Sequence, residues 1–152
     1  MGKILFNEFE DFIKCLNKHN VEYILVGGYA VIFHGYARTT GDIDIWVNQS
    51  ETNYSNLKLS LIEFGLPVFP LIDFLNTKNE VFRFGRRPIE IDIMTQCKGI
   101  EFEFAFQNSR KVLFDEIEVN MIDYRDLIQT KKSSGRLKDL LDIENLTEPD
   151  KD

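Results

Sequence analysis

The stretch at residues 25–47 reads LVGGYAVIFHGYARTTGDIDIWV, two apolar runs joined through a glycine pair and an Asp-x-Asp. It opens inside the run 21–26, VEYILV, whose β-branched and aromatic residues with a single charge describe a buried strand. Gly27-Gly28 then marks a tight turn, and residues 29–34 form a short helix that Gly35 stops as its C-terminal glycine. After a loop over 36–41, polar and apolar residues alternate through Asp42-Ile43-Asp44-Ile45 before Trp46-Val47, which predicts a second strand. Asp42 and Asp44 stand at i and i+2 of that strand, so their carboxylates point to one face a few ångströms apart. Like charges that close need a cation, and oxygen-only ligands of high charge select Mg²⁺ or Mn²⁺ while leaving coordination positions for water and phosphate. Taken alone, such a pair is more often a solvated strand face.

Moving outward, residues 81–84 and 89–94 read as two strands joined by the charged turn Gly85-Arg86-Arg87-Pro88, a hairpin pattern. The second of them carries Glu90 and Asp92, again at i and i+2, with Asp92 48 residues after Asp44. If this strand lies beside 42–47 in one sheet, Asp92 faces the same point as Asp42 and Asp44. Three carboxylates on adjacent strands is the arrangement of a two-metal phosphoryl or nucleotidyl transfer site. Glu90 is the rival third carboxylate, because it shares the face of Asp92 on a regular strand. Gly27-Gly28 fits the same chemistry: a glycine pair lets backbone amides approach a phosphate, and the amino terminus of the following helix adds partial positive charge. A plain tight turn accounts for the glycines equally well.

The remaining elements frame this centre. Leu5, Phe9, Phe12, Ile13 and Leu16 give residues 4–16 one apolar helical face. Ser50 or Thr52 caps a helix that ends at Gly65. Residues 100–106 fit a strand or the start of a short helix, since Phe102, Phe104 and Phe106 alternate. Residues 116–121 resemble an edge strand. Asp123 then opens a helix over 124–132, with Asp126 three residues on as in a capping box, and a second helix over 136–146 follows the break at 133–135. The expected architecture is α/β (α+β), a mixed sheet of about four or five strands flanked by helices. It makes one domain over residues 1–147 with a frayed acidic tail at 148–152.

Composition narrows the function classes. Eighteen Lys and Arg against 25 Asp and Glu leave a net charge of −7, the wrong sign for a chain that grips duplex nucleic acid through its phosphates. The apolar stretch 64–75 is broken by Pro67, Pro70 and Asp73 and falls far short of the roughly 20 residues that cross a bilayer. The amino terminus lacks the pattern of a signal peptide, and Cys15 and Cys97 form no CxxC pair, so a reducing cytoplasm is the expected compartment. Positive charge concentrates in two places, Arg83, Arg86 and Arg87 around the hairpin turn, and Lys131, Lys132, Arg136 and Lys138 near the carboxyl terminus. Asp139 and Asp142 are the expected partners of Lys131 and Arg136 at i+3 or i+4 spacing. Arg38, four residues before Asp42, serves either as a counter-ion or as a planar fork for a triphosphate. His34 reads as a packed or surface histidine and not a ligand, since no second histidine shares a metal with it. Tyr29, Tyr36 and Phe84 read as core, with base stacking as the alternative.

The runs LVGGYAVIFHGYARTTGDIDIWV, EIDIM (90–94) and LIQTKKSSGRLKDLLDIENL (127–146) together resemble the minimal nucleotidyltransferases of the DNA polymerase β superfamily. The similarity is nearest to small proteins related to AbiEii-type toxins and to antibiotic nucleotidyltransferases. The family pattern falls on Gly27 and Gly28, Arg38, Thr39 or Thr40, Asp42 and Asp44, and Asp92. It implies transfer of a nucleoside monophosphate from an NTP to an acceptor hydroxyl, on a small molecule, a protein side chain or a tRNA end, with release of pyrophosphate. Asp42, Asp44 and Asp92 would hold Mg²⁺ or Mn²⁺, and Asp92 would take the acceptor's proton. Gly27, Gly28, Arg38, Thr39, Thr40, Lys131 and Arg136 would face the nucleotide. An antitoxin partner or a homodimer belongs to the same resemblance. Gly28 stands where many members carry a serine whose hydroxyl touches the phosphates. The rival function is a nucleotide-binding or protein-interaction module that keeps the scaffold without catalysis.

Overall fold

Phe9, Phe12, Ile13 and Leu16 are all buried on the inner face of α1 (Asn7–Lys18), as their helical spacing requires. A computed structural model describes residues 3–78 and 80–146, so the tail expected at 148–152 lies outside the described residues. Every residue of β1 (Tyr23–Val26) is buried, and α2 (Gly27–Phe33) starts directly on the glycine pair. That start comes two residues earlier than the sequence suggests, because Gly27 makes the turn by itself at a φ of 69°. β2 (Asp42–Val47) leads to α3 (Glu51–Phe64), where Ser50, not Thr52, is the cap: its side chain accepts from the backbone N–H of Asn53. Gly65 closes α3 in the left-handed conformation.

A short helix that the sequence pattern hides, α4 (Leu71–Asn76), begins right after Pro70. β3 (Val81–Arg86) and β4 (Ile89–Met94) make the expected hairpin. The ambiguous stretch 100–106 is helical, in α5 (Phe102–Asn108). Phe102 and Phe106, four apart, stack at 5.2 Å, and Phe102 meets Trp46 edge-on at 5.3 Å. β5 (Arg110–Phe114) then pairs antiparallel with β6 (Ile117–Met121) across Asp115-Glu116, both at positive φ as a two-residue hairpin turn demands. α6 (Tyr124–Ser134) and α7 (Leu137–Asn145) are separated by Gly135. Asp123 caps α6 through the N–H of Arg125, while the Asp126 carboxylate accepts from Asn108, so the expected capping box does not close.

The sheet runs β3-β4-β2-β1-β6-β5, six strands where four or five were expected. The sequence pattern hides β5, because Phe114 is its only buried residue. Its presence also corrects the reading of 116–121 as an edge strand, since β6 lies between β1 and β5. β1 is antiparallel to β2 and parallel to β6, and β2 is parallel to β4. Strand alternation then sorts side chains between two faces. Ile43, Ile45, Ile91 and Ile93 are buried on one of them, the half-buried Phe82 and Phe84 join them there, and Phe82 stacks at 3.9 Å on Phe69, which also meets Tyr54 of α3. Trp46 is buried on the other face and shares it with Asp42 and Asp44. No helix among the described residues is long and apolar enough to cross a membrane.

Candidate active site

Register places the acidic residues. Parallel pairing sets Asp42 opposite Glu90 and Asp44 opposite Asp92, and antiparallel pairing sets Arg83 opposite Asp92. All five side chains therefore rise from one face of three neighbouring strands. One carboxylate oxygen each from Asp42, Glu90 and Asp92 lie within 4.8 Å of one another. Of the two candidates for a third carboxylate, Asp92 and Glu90, the fold brings both to Asp42. Arg83 bridges them: its Nε lies 3.1 Å from Asp92 and 3.1 Å from Glu90, and its Nη2 lies 3.4 Å from the second oxygen of Asp92.

Asp44 lies outside this trio and stands against the turn. A Cβ on Gly27 would come within 2.0 Å of its Oδ2, so only glycine leaves room for this carboxylate at the head of α2. Burial, together with the charges of Asp42 and Asp92, pushes the Asp44 carboxyl up to about 8. Asp92 is raised to about 7, chiefly by burial, with the Arg83 hydrogen bond opposing the rise and Asp42 adding to it. The site thus holds more negative charge than its one guanidinium offsets. An all-oxygen donor set with converging carboxylates already gripping a cationic group fits a hard divalent ion.

The glycine at 28 has a local explanation. A Cβ there would meet Thr40 Oγ1 at 2.4 Å, so the Thr40 side chain fills the space that a serine at 28 would need. The Thr40 hydroxyl donates to the backbone oxygen of Asp42 at 3.3 Å, which keeps a hydroxyl beside the carboxylates.

Asp42, Asp44, Asp92, Gly27, Gly28, Arg38, Thr39, Thr40, Lys131 and Arg136 all line one cleft of about 960 Å³. The three cations among them are already engaged. Lys131, almost fully buried, contacts Asp139 at 3.2 Å and Asp142 at 3.0 Å, and Arg136 forks onto Asp139. Arg38 Nε lies 2.9 Å from Asp142. The local spacing expected for Asp139 and Asp142 holds only for Arg136–Asp139. The other pairs span 8, 11 and 104 residues, so Asp142 works across the fold rather than along one helix. Nothing in the sequence could reveal the Arg38–Asp142 pair, because only the docking of α7 against the 36–41 loop creates it. The packed reading of His34 agrees with its ring nitrogen 2.8 Å from the Ile122 carbonyl. Tyr29 is buried, and Tyr36 and Phe84 pack against the core. Phe84 pairs with Ile91 and so projects from the face away from the carboxylates.

A family model described as "Nucleotidyltransferase of unknown function (DUF6036)" matches residues 3–147. No curated protein matches the chain.

Proposed function

The chain belongs to this nucleotidyltransferase family, and on that premise we propose that it moves a nucleoside monophosphate from an NTP to an acceptor hydroxyl as a minimal enzyme of the DNA polymerase β type. The support is a single juxtaposition: the carboxylates of Asp42, Glu90 and Asp92, from two parallel strands, converge within 4.8 Å in the same cleft of about 960 Å³ that Gly27 and Gly28 line.

Asp42, Asp44 and Asp92 would hold divalent cations, Mg²⁺ or Mn²⁺, and Glu90, whose carboxylate converges with those of Asp42 and Asp92, would stand beside them. Such ions neutralise charge on the triphosphate and on the attacking oxygen. The chain's own residues divide the rest of the work. The Gly27-Gly28 backbone gives the phosphates a close approach that no side chain obstructs. Thr40 presents its hydroxyl beside Asp42. Arg38, Lys131 and Arg136 set positive charge in the same cleft, fixed in place by Asp139 and Asp142. Asp92 accepts the proton of the acceptor hydroxyl. The acceptor oxygen forms its bond to the α-phosphorus, the bond from that phosphorus to the bridging oxygen breaks, and pyrophosphate leaves with the electron pair.

Thermal denaturation with Mg²⁺ and each NTP tests the reading. At least one NTP should raise the melting temperature by mass action, and the Asp42→Asn/Asp44→Asn variant should lose the shift. Stability indifferent to all four NTPs at millimolar concentration would favour a scaffold that has lost catalysis.

A further inference from the structure

Arg83 has no part in the reading above, yet it sits among the carboxylates. It engages both oxygens of Asp92, at 3.1 and 3.4 Å, and reaches Glu90 at 3.1 Å. Those two residues supply two of the three oxygens that converge within 4.8 Å. A guanidinium forked onto a carboxylate takes up the lone pairs that a metal ion would use, and its charge repels a second cation. The partners differ in freedom. The Asp92 side chain is 4% exposed, whereas that of Arg83 is 59% exposed on the outermost strand. Its neighbours Phe82 and Phe84 pack on the other face, so the arginine can leave while the strand stays in place.

We propose that Arg83 is a built-in competitor for the divalent cation: it fills the Glu90–Asp92 side of the site in the metal-free protein, and metal binding expels it. The proposal rests on the metal reading of this site. Arg87 provides the control. It lies next to the site, its side chain packed over Gly41, where a Cβ would meet it at 2.5 Å, but it pairs with no carboxylate among the described residues.

The test is titration of nucleotide-free protein with Mn²⁺, following the paramagnetic resonance of the free ion. Arg83→Gln should tighten Mn²⁺ binding on the order of tenfold, and Arg83→Lys, which keeps the charge but loses the fork, by less. Arg87→Gln should stay within about twofold of the wild type, as a screened neighbouring charge allows. Unchanged or weaker binding in Arg83→Gln would overturn the competition, as would an equal gain in Arg87→Gln, which would mark a general field effect. Those results leave the metal site standing. Absence of Mn²⁺ binding in both the wild type and Arg83→Gln would instead remove the metal site and the competitor together.

Discussion

Asp92 and Glu90 could not be told apart from the sequence, since both alternate onto one face of the same strand, and the fold explains why: Asp42 has both within reach. They still differ in surroundings. Asp92 is buried and stands level with Asp44, while Glu90 is level with Asp42 at the start of β4. Asp92→Asn should therefore leave NTP affinity within a few-fold and lower turnover by a factor on the order of 10², the scale of a lost positioned base. Glu90→Gln should keep most activity, and steady-state kinetics showing the reverse would exchange their roles. A second expectation follows from the crowding of charge. The folded metal-free protein holds a proton on Asp44 up to about pH 8, against 3.8 for an ordinary aspartate, so between those values the folded state binds more protons than the unfolded one. The contribution of Asp44 to stability then falls as pH rises through that window. In EDTA, Asp44→Asn should gain stability relative to the wild type as pH climbs from about 4 to 8, measured by urea denaturation, and Mg²⁺ should shrink the gain. A relative loss over the same range would mean that the carboxylate is not crowded.

Elements were legible where one strand or helix carries its own signature. The Ser50 cap and Gly65 stop of α3 act through local hydrogen bonds, and the burial of β1 shows in its composition. Elements defined by what they pack against were not legible. β5 buries a single residue and exists through pairing with β6, and α5 needs Trp46 for Phe102 to rest on. The same distinction applies to the candidate site. The Asp42-x-Asp44 pair and the glycine turn lie within one short stretch, but the ion network behind Lys131 joins α6, α7 and the Arg38 loop. Asp142 is its hinge, 3% exposed and in contact with both Lys131 and Arg38. Asp142→Ala strands a buried lysine with one partner fewer, so it should cost about 3 kcal/mol of stability, the usual scale for breaking a buried pair. Chemical denaturation that detects less than about 1 kcal/mol, a surface-pair value, would show that water already reaches the network.

Across the whole molecule, an acidic chain of net charge −7 gathers cations and carboxylates to line one cleft. The sheet order makes this possible. β2 runs between β1 and β4, which places the glycine turn at the end of β1 next to Asp44, and the second acidic strand on the other side. No order of strands other than one with β4 beside β2 would bring residues 48 apart in sequence into the same row. The matching Asp-x-Asp and Glu-x-Asp patterns suggest that adjacency, and the register sets Asp42 opposite Glu90 and Asp44 opposite Asp92. Nucleotidyl transfer at this cleft requires metal and triphosphate to bind there together, which diffraction from a crystal soaked with Mn²⁺ and a non-hydrolysable NTP can show. Anomalous density is expected on the carboxylates of Asp42, Asp44 and Asp92, with the triphosphate lying along Gly27-Gly28. An empty cleft at millimolar Mn²⁺ and nucleotide, or metal bound only away from these three aspartates, would contradict it.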